Sequence, residues 1–203
     1  MMAPADRQPI VVGDGGPLIR LAAAGLLGAL RGLNRRIVLV DRVEDEVAGD
    51  PTKPYAREIA DWIEAMGPAV DRVGTAIGIG IATFRARQRT SEEDAILRGS
   101  LRYSGELARR EFLGSWRPTD ASSVVVLYED RKVPSLFLAA DYPLTLMTTR
   151  AFVRVVQSWC VNVGAVAALE AVAARYDLKP AMVGEIDPDV PEDLRELPKP
   201  VRD

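Results

Sequence analysis

Apolar and polar positions along this chain follow two alternating rhythms, one of period two or unbroken apolarity and one of period 3.6. Residues 9–13, PIVVG, form a short β-branched run that reads as a first strand. Residues 17–32 then repeat Leu18, Leu21, Leu26 and Leu30 at helical spacing, with Pro17 in the first turn. RRIVLV at 35–40 is a second strand whose apolar run predicts burial on both faces, the habit of strands in parallel sheets between helix layers. RVEDEVAG opens a short helix, and Tyr55, Ile59, Trp62, Ile63 and Met66 mark another that ends at Gly67.

The segment 68–84, PAVDRVGTAIGIGIATF, reads as strand plus loop. Residues 90–116 read as helical, capped by Thr90 or Ser91 and broken at Ser104-Gly105, so that a second helix runs from about 105 to 114. SSVVVLY (122–128) is a strand, and EDRKVPSLFLAAD a loop with a short helix. LTLMT (144–148) is a last strand, and helices follow at TRAFVRVVQSW and at 163–176. Strands alternating with helices predict an α/β domain, a three-layer α/β/α sandwich around a mostly parallel sheet. We place one domain at 8–178 and a Pro/acid-rich tail at 179–203.

Composition narrows the chemistry. The 203 residues carry a net charge of −3, 48% apolar side chains and no stretch as long as a membrane span, with no signal-peptide layout at the start. These features predict a cytoplasmic protein with no membrane partner. Cys160, the single cysteine, cannot form an internal disulfide and is expected to be buried and inert. Histidine is absent. That excludes the Ser-His-Asp triad, the Cys-His pair and histidine-bearing zinc sites. GDGGP (13–17) therefore has no part in serine-protease chemistry, and catalysis would rest on carboxylates, Lys, Arg, Tyr, hydroxyls or a metal. Between residues 83 and 117, eight arginines face five acids, a local balance of +3; from Glu185 onward seven acids face three bases. Arg85, Arg87 and Arg89 alternate, so on a strand they would line one face and offer planar forks to phosphates, the signature of an RNA-holding strip.

Acids stand where strands end. Asp14 closes the first strand, Glu46 lies six residues past the second on the first turn of a helix, Glu106 begins a helix after Gly105, and Glu129 and Asp130 close SSVVVLY. Carboxyl ends of strands in a right-handed wound sheet face one way, so these acids are expected to converge. Like charges a few ångströms apart repel, and a hard divalent cation such as Mg²⁺ or Mn²⁺, with oxygen ligands, removes that cost. Acids plus metal make a hydrolytic set without histidine.

VVGDGGPLIRLAAAGLL followed by RRIVLVDRVEDEVAG resembles the opening of PIN-domain nucleases: strand, Asp14, a Pro17-Leu18-Ile19 entry to a helix, then a strand leading to Val43 with Glu46-Val47. SGELARREFL (104–113) is similar to the Gly-Glu-led helix of one branch, VVVLYEDRKV (124–133) to its strand ending in a doubled acid, and LTLMTTRAFVRVV to the closing strand, threonine and helix. The resemblance covers roughly 10–160, with a gap over 51–100. It implies that Asp14, Glu46, Glu106 and Asp130 are the catalytic, metal-binding set, that Glu129 is a supporting acceptor, and that Thr148 or Thr149 lies near the site. It also implies Mg²⁺- or Mn²⁺-dependent endoribonuclease activity, an RNA substrate, a toxin restrained by an antitoxin protein, and a homodimer. Gly15 stands where the family has Ser or Thr. Two other readings stay open: a weakened PIN-like domain that binds RNA or protein, and an α/β nucleotide-binding protein using the glycines of 74–80.

Overall fold

The chain is described by a computed structural model covering residues 9–33, 35–87, 90–118, 123–137, 140–158 and 164–175. Cys160, Arg89 and the tail from 179 onward lie outside the described residues. Five strands, β1 (Ile10–Val12), β2 (Ile37–Val40), β3 (Val70–Val73), β4 (Val124–Tyr128) and β5 (Leu144–Thr148), form one sheet in the order β3-β2-β1-β4-β5. Every pairing is parallel, with Ile10 opposite Ile37 on one side and Val125 on the other. β1 and β2 are buried throughout, as are the first four residues of β4, because a parallel sheet between helix layers has no wet face. Each fully buried Val, Leu or Ile contributes about 1.5–3 kcal/mol, and these three strands form the centre of a core that the helices complete.

Nine helices among the described residues cover the sheet: α1 (Gly16–Ala23), α2 (Leu27–Gly32), α3 (Asp41–Ala48), α4 (Ala56–Met66), α5 (Ala76–Ala86), α6 (Ser91–Ser115), α7 (Lys132–Phe137), α8 (Thr149–Ser158) and α9 (Ala165–Arg175). α1 packs against α2, α4, α8 and α9, while α6 packs against α3, α5, α7 and strand β2. The result is the expected α/β/α sandwich with a parallel sheet. No helix among the described residues is long and apolar enough to cross a membrane.

Four local expectations are corrected. The helix over 17–32 is two helices, because Gly25 adopts φ +67° and turns the chain between them. α3 starts at Asp41, so Glu46 lies on its second turn rather than its first. The 68–84 segment is β3 followed by α5, a helix with a weakly amphipathic sequence whose start is fixed from outside. Thr75 caps it by accepting from the Gly78 N–H. Asp41 Oδ2 in turn accepts from the Thr75 N–H at 2.7 Å, and Glu111 Oε1 from the Ala76 N–H at 2.6 Å. Two carboxylates thus occupy the positive end of α5, the place a phosphate would take if Gly74, Gly78 and Gly80 formed a nucleotide loop.

The fourth correction concerns α6, which runs unbroken for 25 residues through Ser104-Gly105. Thr90 and Glu93 close a capping box at its start. Ser104 is buried, and its hydroxyl donates to the Leu101 carbonyl and accepts from Arg42 Nε at 3.1 Å, so a residue that favours breaks in isolation is held inside the helix.

The cap of α5 yields a contrast in sign. A Cβ on Gly78 would overlap the Asp41 carboxylate, whereas one on Gly80 in the same helix meets nothing within 4 Å. Gly80→Ala is expected to stabilise by roughly 0.5–1 kcal/mol through helix propensity, and Gly78→Ala to destabilise by about 1–3 kcal/mol through overpacking. Chemical denaturation of the two variants checks this.

Candidate functional site

The candidate site is built where β1 and β4 lie side by side. Crossovers run outward in opposite directions from this pair, to β2 and β3 on one side and to β5 on the other, so their carboxyl ends form the switch point where open α/β sheets keep their ligand crevice. Asp14 follows β1 directly, and Glu129 and Asp130 follow β4.

Asp14 is buried, and backbone N–H groups surround it. Its Oδ1 accepts from the Gly16 N–H at 2.8 Å, while Oδ2 accepts from the Glu129 and Asp130 N–H groups at 2.8 and 3.0 Å. A carboxylate offers about four lone-pair positions, so three donors leave one open, on Oδ1. Asp14 therefore has two jobs that coexist: it clamps the β4–α7 turn to the end of β1, and it retains one acceptor position.

The two glycines after Asp14 exist because other side chains fill the space. A Cβ on Gly15 would fall 2.6 Å from Val47 Cγ1 and 3.4 Å from the Glu46 carboxyl. One on Gly16 would fall 2.6 Å from Glu129 Cβ and 2.8 Å from Asp14 Oδ1. Helix α3 thus presses directly on the Asp14 loop, and it brings the exposed Glu46 to that loop. The hydroxylic residue expected at position 15 has no room, since Val47 takes its place.

Glu129 turns inward. Arg20 Nη2 of α1 forms an ion pair with its Oε2 at 3.2 Å, and the fully buried Thr149 stands beside the same carboxyl. Burial pushes the Glu129 carboxyl above the ordinary glutamate range. Nearby Thr149 and the Arg20 charge oppose that rise only in part, and the Asp14 charge adds to it. Thr148, the other candidate hydroxyl, accepts from the Ala151 N–H and so caps α8.

The remaining expected residues are placed differently. Asp130 is exposed and accepts from the Lys132 N–H at 2.9 Å, which shapes the turn into α7. Glu106 lies in the middle of α6, not at a helix start, and pairs with Arg110 at 2.9 Å. Among the described residues no three acidic side chains gather closely enough to hold a metal ion ready-made. The structure brings Asp14, Glu46, Glu129 and Asp130 to one edge of the sheet and leaves Glu106 in an ion pair.

The arginine strip is also corrected. Arg85 belongs to helix α5 and pairs with Asp45 at 2.8 Å; Arg87, just past that helix, pairs with Glu93 at 2.9 Å and lies 4.1 Å above the Phe84 ring. The two share no strand face, and intramolecular acids hold both. Two participants had gone unnoticed in the sequence, Arg20 and Asp41. Arg20 is the lone cation inside the apolar run LIRLAAAGLL, a signal that it meets a buried acid. Asp41 carried no such signal.

No protein-family model matches the chain, and comparison with curated proteins and with solved structures finds no significant match.

The clamp changes the meaning of a substitution at Asp14. Asparagine must aim its amide at one or more of the three N–H donors, so Asp14→Asn is expected to lose about 2–3 kcal/mol of stability. Gly15→Ser is expected to lose about 1–3 kcal/mol by pushing α3 away; urea unfolding of both variants measures these losses. For Glu129 the sign follows from its raised folded pKa: the native state holds the proton more tightly than the unfolded chain. Its contribution to stability is therefore full below the unfolded glutamate pKa and is lost as pH climbs through the folded value. Glu129→Gln is expected to flatten that mildly acidic stretch of a stability–pH curve measured by thermal unfolding.

Proposed function

We propose that this protein is a PIN-like ribonuclease that hydrolyses RNA phosphodiester bonds with the help of Mg²⁺ or Mn²⁺. One observation carries the reading: Asp14 and Asp130 follow the two neighbouring strands of the β1/β4 switch point, Glu46 of α3 approaches the same loop, and Asp14 keeps an acceptor position open. The donors fit a hard cation. They are all oxygen, and Asp14 Oδ1 keeps one acceptor position open.

Asp14, Glu46 and Asp130 would hold the metal, with Glu106 joining if its side chain leaves Arg110. The metal supplies charge neutralisation on the phosphate and a water of lowered pKa. The chain's own groups orient that chemistry. The two N–H donors of the β4–α7 turn fix the Asp14 carboxylate, and the approach of Val47 to Gly15 fixes Glu46 over the same loop. Glu129 and Thr149 back the site from the buried side. An antitoxin partner, a homodimer and a cytoplasmic setting belong to this same proposal. The ion pair of Glu106 and the filled space at Gly15 favour a second reading, a weakened relative that binds RNA without cutting it.

Glu46 decides between the two because it is exposed and its removal does not unfold the clamp. Single-stranded RNA incubated with the full chain and Mn²⁺ is expected to be cut, EDTA to stop the cutting, and Glu46→Gln to slow it by roughly 10²-fold or more, the scale of losing one charge-stabilising group. Cutting that survives EDTA sinks the metal mechanism. RNA binding with no cutting, and no rise in unfolding temperature with Mn²⁺, selects the second reading.

A further inference from the structure

Arg109 is the anomaly of this fold. Three arginines are buried among the described residues: Arg35, Arg42 and Arg109. Arg42 pairs with Asp45 and donates to Ser104, and Arg35 is also engaged. Arg109 is 8% exposed, and its Nε is fully enclosed with no hydrogen-bond partner. Among the described residues no carboxylate lies within ion-pair distance of it. Holding a largely buried guanidinium without a counter-charge is unfavourable, so a neutral side chain of the same volume would serve the fold better.

Contacts along α6 fix where this guanidinium lies. Ser104 touches Arg42 at the start of α3, just past the carboxyl end of β2. Glu111 faces the start of α5. On a third side, Phe112 stacks on Trp116 at 5.0 Å, and Trp116 meets Tyr142 ahead of β5. Positions 105, 109, 112 and 116 share this last stripe, turned away from α5 and toward the β4–β5 half of the sheet, where α6 also packs on α7. Helical side chains lean toward the N-terminus, and Arg109 does so: its Nη1 lies 3.8 Å from where a Cβ on Gly105 would stand. Gly105 thus leaves room for a guanidinium that reaches back to the level of Ser104, which touches Arg42 just past the carboxyl end of β2.

We propose that Arg109 holds a phosphate group of the substrate at this edge, two of its N–H groups gripping two non-bridging oxygens. A planar fork suits that grip, and burial strengthens it because little water competes. The inference deepens the nuclease reading of the same cleft and rests on it.

The test uses the full chain and inorganic phosphate in EDTA, with sodium chloride at matched ionic strength as the control. Phosphate is expected to raise the unfolding temperature of the wild type beyond the effect of chloride, as a ligand of the native state does. In Arg109→Met its affinity, read by calorimetric titration, is expected to fall tenfold or more. Arg109→Lys, with the charge but no fork, should fall between the two. Without phosphate, Arg109→Met should unfold at the same temperature as the wild type or higher, since an unpaired buried charge is gone. Should the methionine variant fail to fold, the lysine variant carries the comparison. Phosphate that acts no differently from chloride, or binds the variants as it binds the wild type, overturns the proposal; so does an Arg109→Met that loses stability while phosphate does nothing. Mn²⁺ titrated separately keeps the two ideas apart. A response to Mn²⁺ but not phosphate sinks the role of Arg109 alone, and a response to phosphate but not Mn²⁺ sinks the metal reading alone.

Discussion

One buried carboxylate ties this molecule together at the carboxyl edge of its sheet. Asp14 accepts three backbone N–H groups, two of them from a turn 115 and 116 residues away in sequence. Parallel strands β1 and β4 are already joined by their ladder, but a ladder says nothing about the course of the chain beyond its last rung. The Asp14 clamp sets that course, and with it the direction of α7 and the position of Glu129 and Asp130. A neutral side chain could not satisfy all three donors, so the charge in the turn between the first strand and the first helix has a structural reason that precedes any chemical one.

Around this clamp the fold places charges in the interior only where something answers them. Asp41 and Glu111 complete the first turn of α5, and Arg42 joins Asp45 to Ser104. Burial alone would raise the Asp45 carboxyl, but hydrogen bonds from Arg85 and Arg42 outweigh it and hold Asp45 below its ordinary range. Among the described residues, buried polar atoms without a hydrogen-bond partner include Trp62 Nε1, Tyr142 Oη, Arg150 Nε and Arg109 Nε, while Glu129 is paired with Arg20. Unsatisfied buried polar groups are rare in native proteins because each costs about 1–3 kcal/mol. Arg150 is paired with Glu170, which leaves Arg109 as the cation of this set with no ion pair among the described residues.

The sheet was legible because its strands are so uniformly apolar. IVV, IVLV and VVVLY can be buried on both faces only in a parallel sheet, and the helical repeats between them leave one class of architecture. The failures have particular causes. α5 carries two glycines, Gly78 and Gly80, in its first turns, and its start is capped by acids 34 and 35 residues away, which no local window contains. Ser104-Gly105 has the sequence of a break, but Arg42 holds the serine and Arg109 lies over the glycine. The alternating arginines suggested a shared strip; Asp45 and Glu93 had already taken two of them.

Residue order alone determined the fold class, the absence of histidine chemistry and the placement of acids at the carboxyl ends of strands. Those follow from periodicity and composition, which are local properties. Tertiary structure decided which acids share an edge, which are spent on ion pairs, and why glycines follow Asp14. Those depend on distances of a few ångströms between segments far apart along the chain, and a carboxylate has the same letter whether its neighbour is an amide, an arginine or open water.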